Sequence, residues 1–229
     1  MKKGTIVTGT VEGLSFPNKG ILTVEDSRMV VKNTIPGQVI EAVVTKNGSN
    51  RMEGRLQRVV TPSQLETESP CPHYGVCGGC AYQTIPYEEQ LKIKSEQVRQ
   101  LLTPVLGEDF PFEGIEGSPR QSEYRNKMEF SFGDFVKDGP MTLGMHKRGS
   151  FYDIVTVDGC RIVDEDYRQI LRATLDYFTE KGIPFYRKMQ RTGALRHLVV
   201  RKAVKTGEIL VMLVTTSAYR ADEEFVSML

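Results

Sequence analysis

Residues 71–83 read CPHYGVCGGCAYQ and place three of the four cysteines of this 229-residue chain within ten positions. The spacing is C-x5-C-x2-C; the fourth cysteine, Cys160, follows Cys80 at a distance of 80 positions. No apolar run approaches the roughly 20 residues that span a bilayer. The N-terminal stretch MKKGTIVTGTVEGLS begins basic, but its apolar residues alternate rather than form a signal-peptide core. These features predict a cytoplasmic protein without a membrane partner. Thiols stay reduced in that compartment, so clustered cysteines point to a metal or to catalysis rather than to disulfides. Four thiolates serve either tetrahedral zinc or a [4Fe–4S] cluster. Zinc sites usually pair two short knuckles, whereas one loop with three ligands plus a remote fourth suits an iron–sulfur cubane. Gly78 and Gly79 let the backbone approach closely and aim N–H groups at sulfur. The expected metal ligands are Cys71, Cys77, Cys80 and Cys160. Cys160, alone after VDG, also reads as a core residue, and His73 reads either as a zinc ligand or as an ordinary loop residue.

Working outward, residues 4–60 hold five short stretches rich in Val, Ile and Thr: TIVTGTVEGL, KGILTVED, RMVVKNT, GQVIEAVVTK and RMEGRLQRVV. Turn signals separate them at Pro17-Asn18-Lys19-Gly20, Asp26-Ser27, Pro36-Gly37 and Asn47-Gly48-Ser49-Asn50. Five strands in so short a span suggest a small barrel of the OB type. After the cysteine loop, PYEEQLKIKSEQVRQLLTPVLG places Leu91, Val98, Leu101, Leu102 and Val105 on one helical face. Residues 119–163 read as strands again. A second helix follows, with Asp164 as its cap, Tyr167, Ile170, Leu171, Leu175 and Phe178 on its apolar face, and Gly182 as its stop. RHLVVRKAV and EILVMLVTT form a hairpin that turns at Lys205-Thr206-Gly207, and RADEEFVSML begins another helix. The fold class is α+β: an N-terminal OB-like β-barrel, then a mixed α/β domain with a metal-binding loop. The segments are 1–62 (barrel), 63–86 (cysteine loop), 87–118 (helix) and 119–229 (central domain).

The net charge of +1 is unevenly spread. Residues 1–60 carry nine Lys/Arg against five Asp/Glu, and residues 61–118 carry three against nine. A basic N-terminal module suits polyanion binding, as it also suits a merely solvated surface. The barrel offers Lys19, Lys32, Lys46, Arg51, Arg55 and Arg58, of which Lys32 and Arg55 are the candidate RNA contacts. Phe16 is the sole aromatic before Tyr74, so stacking there is poor and backbone contacts are favoured. Arg125 and Lys127 before one strand, and Lys147 and Arg148 in a turn, are further RNA-binding candidates. Arg196-His197 reads either as a contact or as a salt-bridged edge pair.

The segment CPHYGVCGGCAYQTIPYEEQLKIKSEQV resembles the cluster-binding segment of the S-adenosylmethionine-dependent RNA uracil-5-methyltransferases, which act on ribosomal RNA or tRNA. VDGCRIV matches where that family places its fourth cluster cysteine. TIPGQVIEAVVTK and RLQRVVTPS are similar to the end of its TRAM domain, and YRNKMEFSFG, LGMHKRGSFYDIV and LRHLVVRKA resemble its central domain. The resemblance implies a 4Fe–4S cofactor, an RNA substrate (23S ribosomal RNA first, tRNA second) and a monomer. It also implies a reaction in which a cysteine adds to C6 of a flipped-out uridine and C5 takes the methyl group. That chemistry needs a fifth cysteine and a Gly-rich strand-to-helix turn for the methyl donor. The only dense glycine stretch, GVCGGC, neither follows a strand nor opens a helix. The expectation is therefore an N-terminal part of a longer enzyme, without catalytic residues of its own, whose S-adenosylmethionine is held by a C-terminal domain. The helix at 87–118 would pack on that domain. A second reading is a stand-alone RNA-binding module with a structural zinc or iron–sulfur site. The methylthiotransferase-type radical enzymes, which also carry TRAM domains, use C-x3-C-x2-C and leave one iron open; C-x5-C with a fourth cysteine argues against them.

Overall fold

Valine, isoleucine and threonine dominate residues 6–61 and build six strands: β1 (Ile6–Thr10), β2 (Gly13–Ser15), β3 (Lys19–Val24), β4 (Ser27–Lys32), β5 (Val39–Asn47) and β6 (Met52–Thr61). The computed structural model describes residues 1–48 and 52–229; part of the expected turn at 47–50, and Arg51, lie outside the described residues. The sheet order is β1-β5-β6-β4-β3-β2, antiparallel except for the parallel pair β4–β6. TIVTGTVEGL, expected as one strand, becomes two. β1 pairs with β5, whereas β2 pairs with β3. At the change of partner, Val11 N–H donates to the Gln38 carbonyl and Glu12 N–H to that of Ile21, both at 2.8 Å. The two edge strands are thus joined by Val11 and Glu12 alone, and bulges interrupt the β5–β6 register, so the sheet curls. Its core is aliphatic: Val7, Val11, Leu22, Met29, Val31, Ile40, Ala42, Val44 and Met52.

The chain divides into two units. The first combines Met1–Ser69 with Ala81–Ser118, the second Pro70–Cys80 with Pro119–Leu229. The first unit includes α1 (Tyr87–Leu106), which starts after Pro86 with Glu88 and Glu89 at the positive end of its dipole. Of the side chains expected on its apolar face, Leu91 is half-buried, whereas Val98, Leu101, Leu102 and Val105 are exposed, as is Leu106. Gln97 is the residue this helix buries.

In the second unit, β7 (Lys127–Asp134), β8 (Met141–His146), β9 (Ile154–Thr156), β10 (Leu195–Lys202) and β11 (Ile209–Thr215) form an antiparallel sheet ordered β11-β10-β7-β8-β9. Alternate residues Met128, Phe130 and Phe132 of β7 are buried with Leu198 and Val200 of β10. They pack with Tyr167, Leu171, Leu175 and Phe178 of α2 (Glu165–Glu180). Phe178 stands edge-on to Phe132 at 5.8 Å and to Tyr177 at 5.2 Å. Asp164 occupies the N-cap position of α2, but its carboxylate makes no capping bond; it binds Lys202 Nζ at 2.8 Å instead. A lysine that faces two carboxylates, Asp164 and Asp166, competes better than a backbone N–H. Gly182 (φ 64°) ends the helix region and Gly207 (φ 77°) turns the β10–β11 hairpin. A short helix, α3 (Glu223–Met228), is capped by Asp222, which accepts from Phe225 N–H at 2.9 Å and from the Tyr177 hydroxyl at 2.7 Å.

Candidate functional site

Two chain segments meet in the second unit to form a cavity of about 80 Å3, lined by Cys71, Cys77, Cys80 and Cys160 with Tyr74, Met128, Met145 and Ile162. Cys160 is buried, and the other three cysteines are half-buried. Each segment is fixed by bonds the sequence does not advertise. The loop 71–80 pairs with the end of β8: Gly78 N–H donates to the His146 carbonyl at 2.9 Å, Arg148 N–H to that of Val76 at 2.7 Å, and Cys77 bridges Lys147. The Cys160 turn is held from α2, where Arg168 donates to the carbonyls of Cys160 (3.0 Å) and Val163 (2.8 Å). His73 joins the two segments, its Nε2 accepting from Gly159 N–H at 2.9 Å. Burial pushes the His73 imidazole below its usual range, which keeps it neutral and able to accept. A side chain on Gly159 would sit 2.8 Å from Pro72 Cγ and 3.2 Å from His73 Nε2, so glycine is what lets the segments touch.

The electrostatics suit a cationic occupant. Burial first, and then the neighbouring sulfurs of Cys80 and Cys71, push the Cys77 thiol up; burial and the same kinds of neighbour push Cys160 up. Both shifts favour the neutral thiol, so ionising Cys77 and Cys160 would need positive charge beside them. Gly79 N–H already points at Cys77 Sγ, 3.3 Å away, while Gly78, expected to do the same, serves His146. Among the described residues no group of three His, Cys, Asp or Glu is arranged to hold a single metal ion. Four cysteine sulfurs around one cavity are a donor set that either tetrahedral zinc or a [4Fe–4S] cluster could use.

The basic candidates separate by what they touch. Arg148 donates from Nη2 to the Cys80 carbonyl at 2.7 Å and lies over the Tyr74 ring at 5.2 Å, so it braces the cysteine loop. Arg125 is exposed, lines the cysteine cavity and donates from Nε to the Lys127 carbonyl at 3.0 Å. Lys127 pairs with Glu129 at 3.1 Å. Lys147 faces Asp153 at 3.7 Å and the Phe135 ring at 4.7 Å. In the curled sheet Lys32 stands opposite Lys19 and Arg55 is exposed on β6, whereas Arg58 is taken by Glu41.

A second and larger cavity of the second unit, about 340 Å3, was not anticipated. Phe151, Tyr152, Tyr186 and Met189 line it together with Lys137, Arg187, Lys188, Arg196, His146 and His197. Its side chains come from four separate loops and strands, with no spacing that a sequence pattern would reveal.

Comparison with known proteins gives a consistent picture. The chain is 49% identical over 217 residues to an uncharacterized RNA methyltransferase of Clostridium tetani, covering 95% of this chain and 48% of that protein. It is 46% identical over 217 residues to an uncharacterized RNA methyltransferase of Clostridium acetobutylicum, with the same coverage. Its fold matches a crystal structure of Pyrococcus abyssi tRNA (uracil-54, C5)-methyltransferase in complex with S-adenosyl-L-homocysteine. The TM-score is 0.70 at 22% identity, over 97% of this chain and 48% of that one. No family model matches the chain. The chain spans about half the length of the curated relatives it matches. The sequence relatives carry the name RNA methyltransferase, and the fold matches part of a tRNA (uracil-54, C5)-methyltransferase. Among the described residues no helix is long and apolar enough to cross a membrane.

Proposed function

We propose that this chain is the RNA-binding, cluster-bearing part of an S-adenosylmethionine-dependent methyltransferase that methylates C5 of uridine in RNA. The observation that carries the reading is the convergence of Cys71, Cys77 and Cys80 with the remote Cys160 on one cavity, in a chain whose relatives are named RNA methyltransferases. Cys71, Cys77, Cys80 and Cys160 would hold a 4Fe–4S cluster. With four protein ligands such a group leaves no iron open to substrate, so what it supplies is a cross-link between loop 71–80 and the Cys160 turn. Around it, His73 and Arg168 orient the two segments, and Arg148 holds the loop against the end of β8. The curled sheet plays the part of a TRAM domain. Its Lys32 and Arg55, with Arg125 of the second unit, attract phosphates without reading sequence; Lys127 and Lys147, which face Glu129 and Asp153, contribute less.

All four cysteines have this one employment, so the nucleophile for uridine C6 and the site for S-adenosylmethionine belong to a part of the enzyme beyond these residues. Ribosomal RNA is the preferred substrate, on the strength of the TRAM-like sheet, and tRNA the other. Fluorescence anisotropy with single-stranded RNA tests the reading: affinity should fall steeply with salt, with a log–log slope that grows with the number of phosphates neutralised. A flat salt response contradicts the RNA-binding role. Labelled-methyl transfer to unmodified RNA by this chain alone is expected to be nil, and measured turnover contradicts the placement of the catalytic site.

A further inference from the structure

We infer that the 340 Å3 cavity of the second unit is a binding site for an unpaired nucleobase and its phosphate. The inference rests on the RNA-binding reading above and gives it a second, base-contacting site. α2 covers one face of the β7–β10 sheet; Ser131 and His197, paired across the strands, lie among the cavity's lining residues instead. At the rim, Phe151 is 86% exposed, Tyr152 66% and Met189 80%. Three large apolar side chains left in water around one concavity are unusual unless something covers them. Opposite them Tyr186 carries the Arg196 guanidinium over its ring at 5.2 Å.

The charges select the occupant. Of the four cations that line the cavity, Arg187 is neutralised by Asp134 (3.3 Å) and Asp138 (3.2 Å). The other lining carboxylate, Asp153, faces Lys147. Lys137, Lys188 and Arg196 have no carboxylate partner among the described residues. Exposed rings beside unpaired cations match a base with an attached phosphate: the ring stacks and the cation meets the oxygen. The His197 imidazole, pushed below its usual range mainly by burial, is neutral at pH 7; its Nδ1 meets Ser131 Oγ at 3.3 Å, which leaves Nε2 for a base edge. The curled sheet lacks such surfaces, since Phe16 is its one aromatic; base contacts in this chain fall to the second unit.

The test compares a fluorescein-labelled oligoadenylate with an abasic ribose–phosphate oligomer of equal length. Wild-type chain should bind the base-bearing oligomer more tightly, by about tenfold. Phe151→Ala with Tyr152→Ala should bring that ratio close to one. Both side chains are already exposed, so this variant should keep the wild-type melting curve. Arg196→Gln should weaken both oligomers alike while leaving the ratio unchanged. A wild-type ratio retained by the double variant overturns the pocket as a base site and leaves the RNA-binding reading intact; the rim would then be a protein-docking face. Failure of the wild-type chain to bind either oligomer at low salt overturns the RNA-binding reading and the pocket with it.

Discussion

The cysteine cavity and the aromatic cavity occur in the same unit and are built from opposite materials. The first is small, apolar and closed by bonds that converge from distant segments: Gly78 to His146, Gly159 to His73, Arg168 to Cys160. The second is larger, about 340 Å3, and its rim leaves the Phe151 and Tyr152 rings exposed. On the reading proposed above, the contrast separates a structural device from a recognition device. The two also share a boundary. His146, which lines the wide cavity, gives its carbonyl to the cysteine loop. The turn after it carries Phe151 and Tyr152, and is closed by Lys147 N–H donating to the Asp153 carbonyl at 2.8 Å. Anything that loosens the loop therefore reaches the aromatic rim.

The largest effect is expected from Cys80→Ser. Iron should be lost, the second unit should melt earlier while the curled sheet melts as before, and discrimination between base-bearing and abasic RNA should weaken. Calorimetry with metal analysis reads this, and an unchanged melt would mean that the thiols carry no cross-link. Next comes Phe178→Ala, which removes a fully buried ring from the edge-on cluster with Phe132 and Tyr177. Denaturant unfolding should show a loss of about 3–5 kcal/mol in the second unit; a loss below about 1 kcal/mol would mean that the cluster rather than the α2 core holds that unit together. Gly159→Ala forces a Cβ against Pro72 and should cost about 1–3 kcal/mol, with a lower iron content per chain; full iron loading would show that the two cysteine segments tolerate separation.

The smallest effect is a pH dependence. His197 has its pKa lowered in the fold, chiefly by burial and against the pull of Glu129. The unfolded chain thus binds more protons, and this contribution to stability is complete above the ordinary value of about 6.5 and declines as pH falls through it. His197→Gln should flatten that decline in unfolding curves taken from neutral to mildly acidic pH, and an unaltered slope would place the titration elsewhere.

Much of the scaffold was legible in local pattern. The 3.6-residue repeat of Tyr167, Leu171, Leu175 and Phe178 marks α2, and Gly207 marks the hairpin, because both signals act over a few residues. Elsewhere, long-range partners decided the outcome. Val11 and Glu12 break one expected strand in two because different strands claim either side of them. Asp164 leaves its capping role because Lys202, 38 residues on, offers a charge. The candidate sites divide the same way. Three cysteines share one short loop and announce themselves by spacing. Arg168, His73 and Gly159 serve that cavity without a motif, and Phe151, Tyr186, Met189 and Arg196 become neighbours only through the sheet order.

Chemical analysis of the chain purified without oxygen bears most directly on the account. It predicts brown protein with about four irons and four sulfides per chain, all lost when any one of Cys71, Cys77, Cys80 or Cys160 is replaced by serine. One zinc per chain, or thiols that bind no metal at all, would contradict it.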